Sequence, residues 1–172
     1  MDAQILLVED NPDHAVLVQA MLEYRNIRGR FYVTENVAEA KSYLLGEWPF
    51  DDPRKSPPPQ LVVLDHWLSD GTGLEFLEWR MSVPGMSEVP VVVFTACRDV
   101  KVRRQAEGLG VAGFFLKPDG FDSLGEAIEN IIRVKYGQTI EQLIAKTVEK
   151  VVTREIESLK RNLLEDKDLI DD

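Results

Sequence analysis

Two rhythms of apolar and polar positions alternate along most of the chain. Short apolar runs, QILLVED at 4–10, GRFYVTE at 29–35, LVVLD at 61–65, VPVVVFTA at 89–96 and VAGFFLKP at 111–118, have the length and compactness of buried strands. Between them lie longer stretches with apolar residues at helical spacing. These are NPDHAVLVQAMLEYRNI at 11–27, NVAEAKSYLLG at 36–46, TGLEFLEWRMS at 72–82, DVKVRRQAEGLG at 99–110 and FDSLGEAIENIIRVKY at 121–136. Asn11 or Asp13 can cap the first, with Pro12 in its first turn, and Gly46 closes the second. Strand followed by helix, five times over, specifies a parallel sheet with helices on both faces, because parallel crossovers are right-handed and carry a helix.

Two segments depart from this order. Residues 47–60, EWPFDDPRKSPPPQ, hold five of the nine prolines and predict an exposed loop without regular structure, an insertion rather than a docking surface. From Thr139 to about Glu165 there is no Pro or Gly, and Ile140, Leu143, Ile144, Val148, Val152, Ile156, Leu159 and Leu163 trace one apolar stripe. The expected organisation is therefore a domain over 1–136 and a long amphipathic helix with an acidic end over 137–172. Spacings of four and three recur in the helix without a clean heptad, which leaves its coiled-coil register open.

Composition narrows the function. The chain of 172 residues suffices for one domain with an appendage. No apolar run approaches the roughly 20 residues of a membrane span, and the N-terminal run lacks a small-residue cleavage site, so it reads as a strand and not a signal peptide. The one cysteine, Cys97, excludes an internal disulfide and agrees with a reducing compartment, so the cytoplasm is expected. A net charge of −10 argues against non-specific nucleic-acid binding.

The strand ends carry the chemistry. In VVLDHWLSDGTG, residues 62–73, an apolar run stops at Asp65 and breaks into turn residues. By itself this carboxylate is equally a turn former or a group placed at the solvent-facing rim where open α/β sheets bind ligands. A parallel sheet, however, gathers all its strand ends on one rim: Glu9 and Asp10 from the first, Asp65 from the third, Thr95 from the fourth and Lys117 from the fifth. Three carboxylates together require a cation, and hard oxygen ligands in this number suit Mg²⁺. An ammonium and a hydroxyl beside them complete a pocket for a phosphoryl group.

With LLVEDNP, VVLDHWLSDGTG, VVVFTA and GFFLKP in this order and spacing, the sequence resembles the receiver domain of two-component response regulators over about residues 3–135. The resemblance implies a flavodoxin-like sheet of order 2-1-3-4-5. It further implies that Asp65 accepts a phosphoryl group from a histidine kinase or phosphotransfer protein, that Glu9, Asp10 and Asp65 hold Mg²⁺, and that Thr95 and Lys117 contact the phosphoryl oxygens. Phe114 matches the switch aromatic that follows Thr95. On this reading the chain is a phosphoacceptor signalling protein and not an enzyme acting on a separate substrate.

Departures from the family pattern are Ser69, where a Pro is common, and the length of the loop 47–60. Trp67 and Cys97, each two residues beyond a site residue, are expected to tune the lifetime of the phosphoryl group, Trp67 by shielding it. His14 and His66 read as solvent-facing neighbours and not as phosphoryl carriers or metal ligands. The C-terminal segment is too short for a helix-turn-helix output domain and its charges nearly balance, so the expected output is protein–protein interaction, with homodimerisation through the helix favoured over packing in cis. Two alternatives belong to other classes. A phosphorylation-independent scaffold would keep the same pocket, whereas an Asp-nucleophile phosphatase of the haloacid dehalogenase type needs a second acid two residues after Asp65, where Trp67 stands.

Overall fold

The computed structural model describes residues 3–134, 148–149 and 151–157. Five parallel strands, β1 (Ala3–Val8), β2 (Gly29–Thr34), β3 (Leu61–Leu64), β6 (Val91–Thr95) and β7 (Gly113–Leu116), form one sheet in the order β2-β1-β3-β6-β7. A two-residue hairpin, β4 (Trp67–Leu68) with β5 (Gly71–Thr72), lies outside it. Counting the parallel strands alone, this is the expected 2-1-3-4-5 order.

Period-two alternation explains why both faces are covered. Ile5 and Leu7 of β1, Leu61 and Val63 of β3, and Val92 and Phe94 of β6 pack with Ala15, Val18 and Leu22 of α1 (Pro12–Tyr24) and Leu124 and Ile128 of α5 (Phe121–Ile132). Their neighbours Leu6, Val8, Val62, Leu64, Val91 and Val93 face the other way. They pack with α2 (Val37–Leu45), α3 (Gly73–Ser82) and α4 (Val100–Gly108). Every strand residue of β3 and β6 is buried, as strands covered on both sides must be.

Local chemistry sets the helix ends. Asn11, Asn36, Thr72 and Asp99 each accept a backbone N–H of the first turn, and Thr72 forms a reciprocal capping box with Glu75. Gly46 closes α2 with φ of 64°, in the left-handed region that glycine enters without cost. Asp70, from the hairpin turn, places Oδ1 2.7 Å from Val37 N and Oδ2 2.9 Å from Ala38 N. A carboxylate thus sits on the positive end of α2 and fastens that helix to the segment following Asp65.

The proline-rich segment contains no helix or strand, as expected, but it is seated on the body. Tyr43 donates its hydroxyl to Pro57 O at 2.9 Å, and Phe50 packs on the Tyr43 ring. Burial pushes the Tyr43 phenol well above its ordinary pKa, with Tyr32 adding to the effect.

By contact, the chain divides into units of 1–132 and 133–172. Most of the expected C-terminal helix, including the boundary at 136, lies outside the described residues. Residues 148–149 and 151–157 are helical and expose Val148, Val151, Val152 and Ile156.

Candidate functional site

Sheet geometry brings the strand ends together. Backbone pairing continues one residue past the strands, with Glu9 N donating to Thr34 O, Asp65 N to Val8 O and Lys117 N to Thr95 O. Glu9, Asp65, Thr95 and Lys117 are therefore fixed in a common register on one rim, and all four are buried.

Lys117 organises the pocket. Its Nζ donates to Glu9 Oε2 at 2.6 Å and to Asp65 Oδ2 at 2.7 Å. A third neighbour, His14 Nδ1, stands at 3.2 Å. The ammonium also lies 5.5 Å from the centroid of the Phe94 ring, whose electron-rich face favours it. Charge-assisted bonds of this length offset the cost of taking the ammonium out of water.

Asp65 is held on both oxygens, since Oδ1 accepts the His66 N–H at 2.5 Å. Behind it, Gly73 donates its N–H to His66 O. A Cβ on Gly73 would stand 2.7 Å from Asp65 O and 3.1 Å from His66 Cα, so glycine is required for α3 to start this close to the acidic strand end. Thr95 is fully buried, and its Oγ1 accepts the Cys97 N–H at 3.2 Å. Phe114 borders a narrow crevice with His66, Val93, Val102 and Ala106, while Arg103 lies over its ring.

The other expected site residues are placed as follows. Asp10 is exposed, in the bend between β1 and α1. Among the described residues, the acidic and imidazole groups close enough to share one cation are Glu9, His14 and Asp65, whose ligand atoms lie within 4.8 Å of one another. Trp67 is 59% exposed and meets His66 ring edge to face. Cys97 is buried.

The histidines differ from expectation. His66 is buried because the hairpin folds the chain after Asp65 back over the sheet end, and burial lowers its pKa against the opposing effect of the Asp65 and Asp99 charges. His14 is half-exposed, but the first turn of α1 aims its ring at Glu9, with Nδ1 3.2 Å from Oε1. Sequence reading missed it because its approach depends on how α1 packs. The available signal was its position four residues after the second acid, one turn into a capped helix.

The fold and this rim define a receiver. Residues 5–129 match the response regulator receiver domain, and the chain belongs to that family. It is 30% identical over 127 residues to the probable methanogenesis regulatory protein FilR2 of Methanothrix harundinacea, covering 74% of this chain and 79% of that protein. The phosphorylated cyanobacterial phytochrome response regulator RcpA is similar in structure, with a TM-score of 0.66 at 25% identity, covering 77% of this chain and 93% of RcpA. The Mn²⁺-bound form of response regulator Rcp1 gives a TM-score of 0.64 at 26% identity, covering 75% and 91% of the two chains.

Receiver domains bind Mg²⁺ or Mn²⁺ in an acidic pocket, and the donor set here fits that role. Two buried carboxylates converge on one cation, the Lys117 ammonium, which stands in for the charge that such a pocket accommodates. No helix among the described residues is long and apolar enough to cross a membrane.

Proposed function

We propose that this receiver is a phosphoacceptor that takes a phosphoryl group on Asp65 from a histidine kinase or phosphotransfer protein and thereby switches protein–protein contacts in the cytoplasm. The observation that carries the reading is the buried Lys117 ammonium bonded to both Asp65 and Glu9 at the sheet rim. In the transfer, a carboxylate oxygen of Asp65 forms a bond to phosphorus as the phosphorus–nitrogen bond of the donor phosphohistidine breaks. The freed imidazole takes a proton, and Asp65 becomes an acyl phosphate. Glu9, Asp10 and Asp65 would hold Mg²⁺, as the family resemblance implies, and the ion would supply positive charge to the phosphoryl oxygens.

The chain's own residues supply the rest. Lys117 exchanges one carboxylate oxygen for a phosphoryl oxygen, and Thr95 turns its hydroxyl from the Cys97 N–H toward another. Phe114 follows Thr95 into the crevice beside His66, which alters the exposed side of α4 and β7. Trp67, beside the His66 ring, and Cys97, whose N–H is held by Thr95, limit water reaching the acyl phosphate. The protein acts by being modified and turns over no separate substrate.

Mass spectrometry after incubation with a small acyl phosphate donor tests the reading. A gain of one phosphoryl group that requires Mg²⁺ and disappears in Asp65→Asn is the expected result. With no gain under any condition, the rim would be a cation pocket only, and a phosphorylation-independent scaffold would describe the chain better.

Self-association through the C-terminal helix belongs to the same proposal. Val148, Val152 and Ile156 repeat at a spacing of four and are exposed together with Val151. In sedimentation, Val152→Glu with Ile156→Glu is expected to shift a dimer to monomer, and unchanged sedimentation removes the idea.

A further inference from the structure

His14 lies outside the set of residues that the family resemblance assigns to the cation site. We propose that it is a nitrogen ligand in the site, which makes this receiver favour Mn²⁺ and similar first-row cations over Mg²⁺ more strongly than an all-oxygen site would. The inference rests on reading the rim as a divalent-cation pocket.

Hydrogen bonding around Lys117 fixes what His14 presents. An ammonium has three donors and no acceptor. Its three neighbours are Glu9 Oε2 at 2.6 Å, Asp65 Oδ2 at 2.7 Å and His14 Nδ1 at 3.2 Å. Nδ1 is also 3.2 Å from Glu9 Oε1, but it cannot both donate to that oxygen and accept from Lys117. Glu9 Oε1 already has a donor in the Asn11 N–H at 3.3 Å. A proton on Nδ1 would also point close to the ammonium. With Lys117 donating to Nδ1, the lone pair of that nitrogen faces the pocket and the proton is on Nε2, and an imidazole nitrogen presented this way is a metal ligand.

The span fits as well. The ligand atoms of Glu9, His14 and Asp65 lie within 4.8 Å of one another, while two ligands on opposite sides of one ion, each bound at about 2.2 Å, are about 4.4 Å apart. Closing the set takes a few tenths of an ångström, and the half-exposed His14 ring has room to supply it. The ring is carried on a turn that Asn11 caps, through N–H groups of Asp13 and His14 itself. Asp10, which is exposed, is not part of this group. Imidazole adds little for Mg²⁺, which prefers oxygen and gives up water reluctantly, and more for the later first-row cations.

The probe is Mn²⁺ with the full chain in the absence of any phosphoryl donor, read by pulsed electron paramagnetic resonance and by competition with Mg²⁺. Nitrogen hyperfine coupling to the bound ion is expected, changing when the histidines carry the heavier nitrogen isotope and absent in His14→Gln. That variant should lose roughly tenfold in Mn²⁺ affinity while Mg²⁺ affinity moves less than about threefold. Bound Mn²⁺ without nitrogen coupling in the unsubstituted protein overturns the role of His14 and leaves the cation pocket standing. Failure to bind Mn²⁺ or Mg²⁺ at all overturns both. Because the unsubstituted protein decides the coupling, a misfolded His14→Gln does not rescue or sink the idea.

Discussion

Lys117→Ala is expected to slow phosphoryl transfer to Asp65 by a factor of about 100 or more, the usual cost of losing a preorganised charge from a buried transfer site. It should also lower stability by about 3 kcal/mol, since Glu9 and Asp65 would remain buried without the cation that bonds to both. For a chain of this size the thermal midpoint then falls by about 8 °C. The sign of the metal effect separates the two roles of the lysine. In the native chain the ammonium competes with a divalent cation for the same oxygens, whereas in Lys117→Ala the cation meets unpaired carboxylates. Added Mn²⁺ or Mg²⁺ should therefore raise the midpoint of the variant by several degrees more than that of the native protein. Transfer within about threefold of native in Lys117→Ala would show that Lys117 does not hold charge on the phosphoryl group.

Sequence made the rim legible for a specific physical reason. In a parallel sheet the strand ends share one edge, so Glu9, Asp65, Thr95 and Lys117 can be grouped once five strands are recognised, without side-chain detail. The two core layers were legible in the same way, since unbroken apolar runs such as QILLV and LVVL mark strands covered on both faces. Features that depend on how the chain turns after leaving a strand were not legible. The segment after Asp65 contains Trp67, Ser69 and Gly71 and reads as loose turn, yet it pairs Trp67 with Thr72 as a hairpin and carries His66 inward. His14 looks like one polar residue of a helix start, and only the packing of α1 directs its ring to Glu9. Arg80, a charged residue within TGLEFLEWRMS, is one of the buried residues of α3, which periodicity alone does not reveal.

Arg80→Ala is expected to cost about 3–4 kcal/mol, through the cavity left by a large buried side chain and the hydrogen bonds lost with it. The guanidinium is 2% exposed and has no carboxylate within ion-pair distance among the described residues. Burial without such a partner lowers its pKa. What holds it are carbonyls: Val89 O at 2.8 Å from Nη1, and Leu109 O at 3.1 Å and Gly110 O at 3.4 Å from Nη2. Leu109 and Gly110 form the C-terminal end of α4, where the helix dipole is negative and favours a cation. Nε is buried without a partner, so the site is not fully satisfied and its net contribution is less than three good bonds would give. Arg80→Met separates volume from bonding, because it fills much of the space but leaves the carbonyls without donors, and it should fall between Arg and Ala. The loss should also be local. Ala106 is the one buried residue of α4, so Arg80 is a principal tie between that helix and the body. Hydrogen exchange in Arg80→Met should therefore accelerate in α4 and at the start of β7 before it does in β1 or β3. In the proposed switch this is the helix that would shift with Thr95 and Phe114, and uniform acceleration across the whole sheet would show that α4 is not a separately opening element.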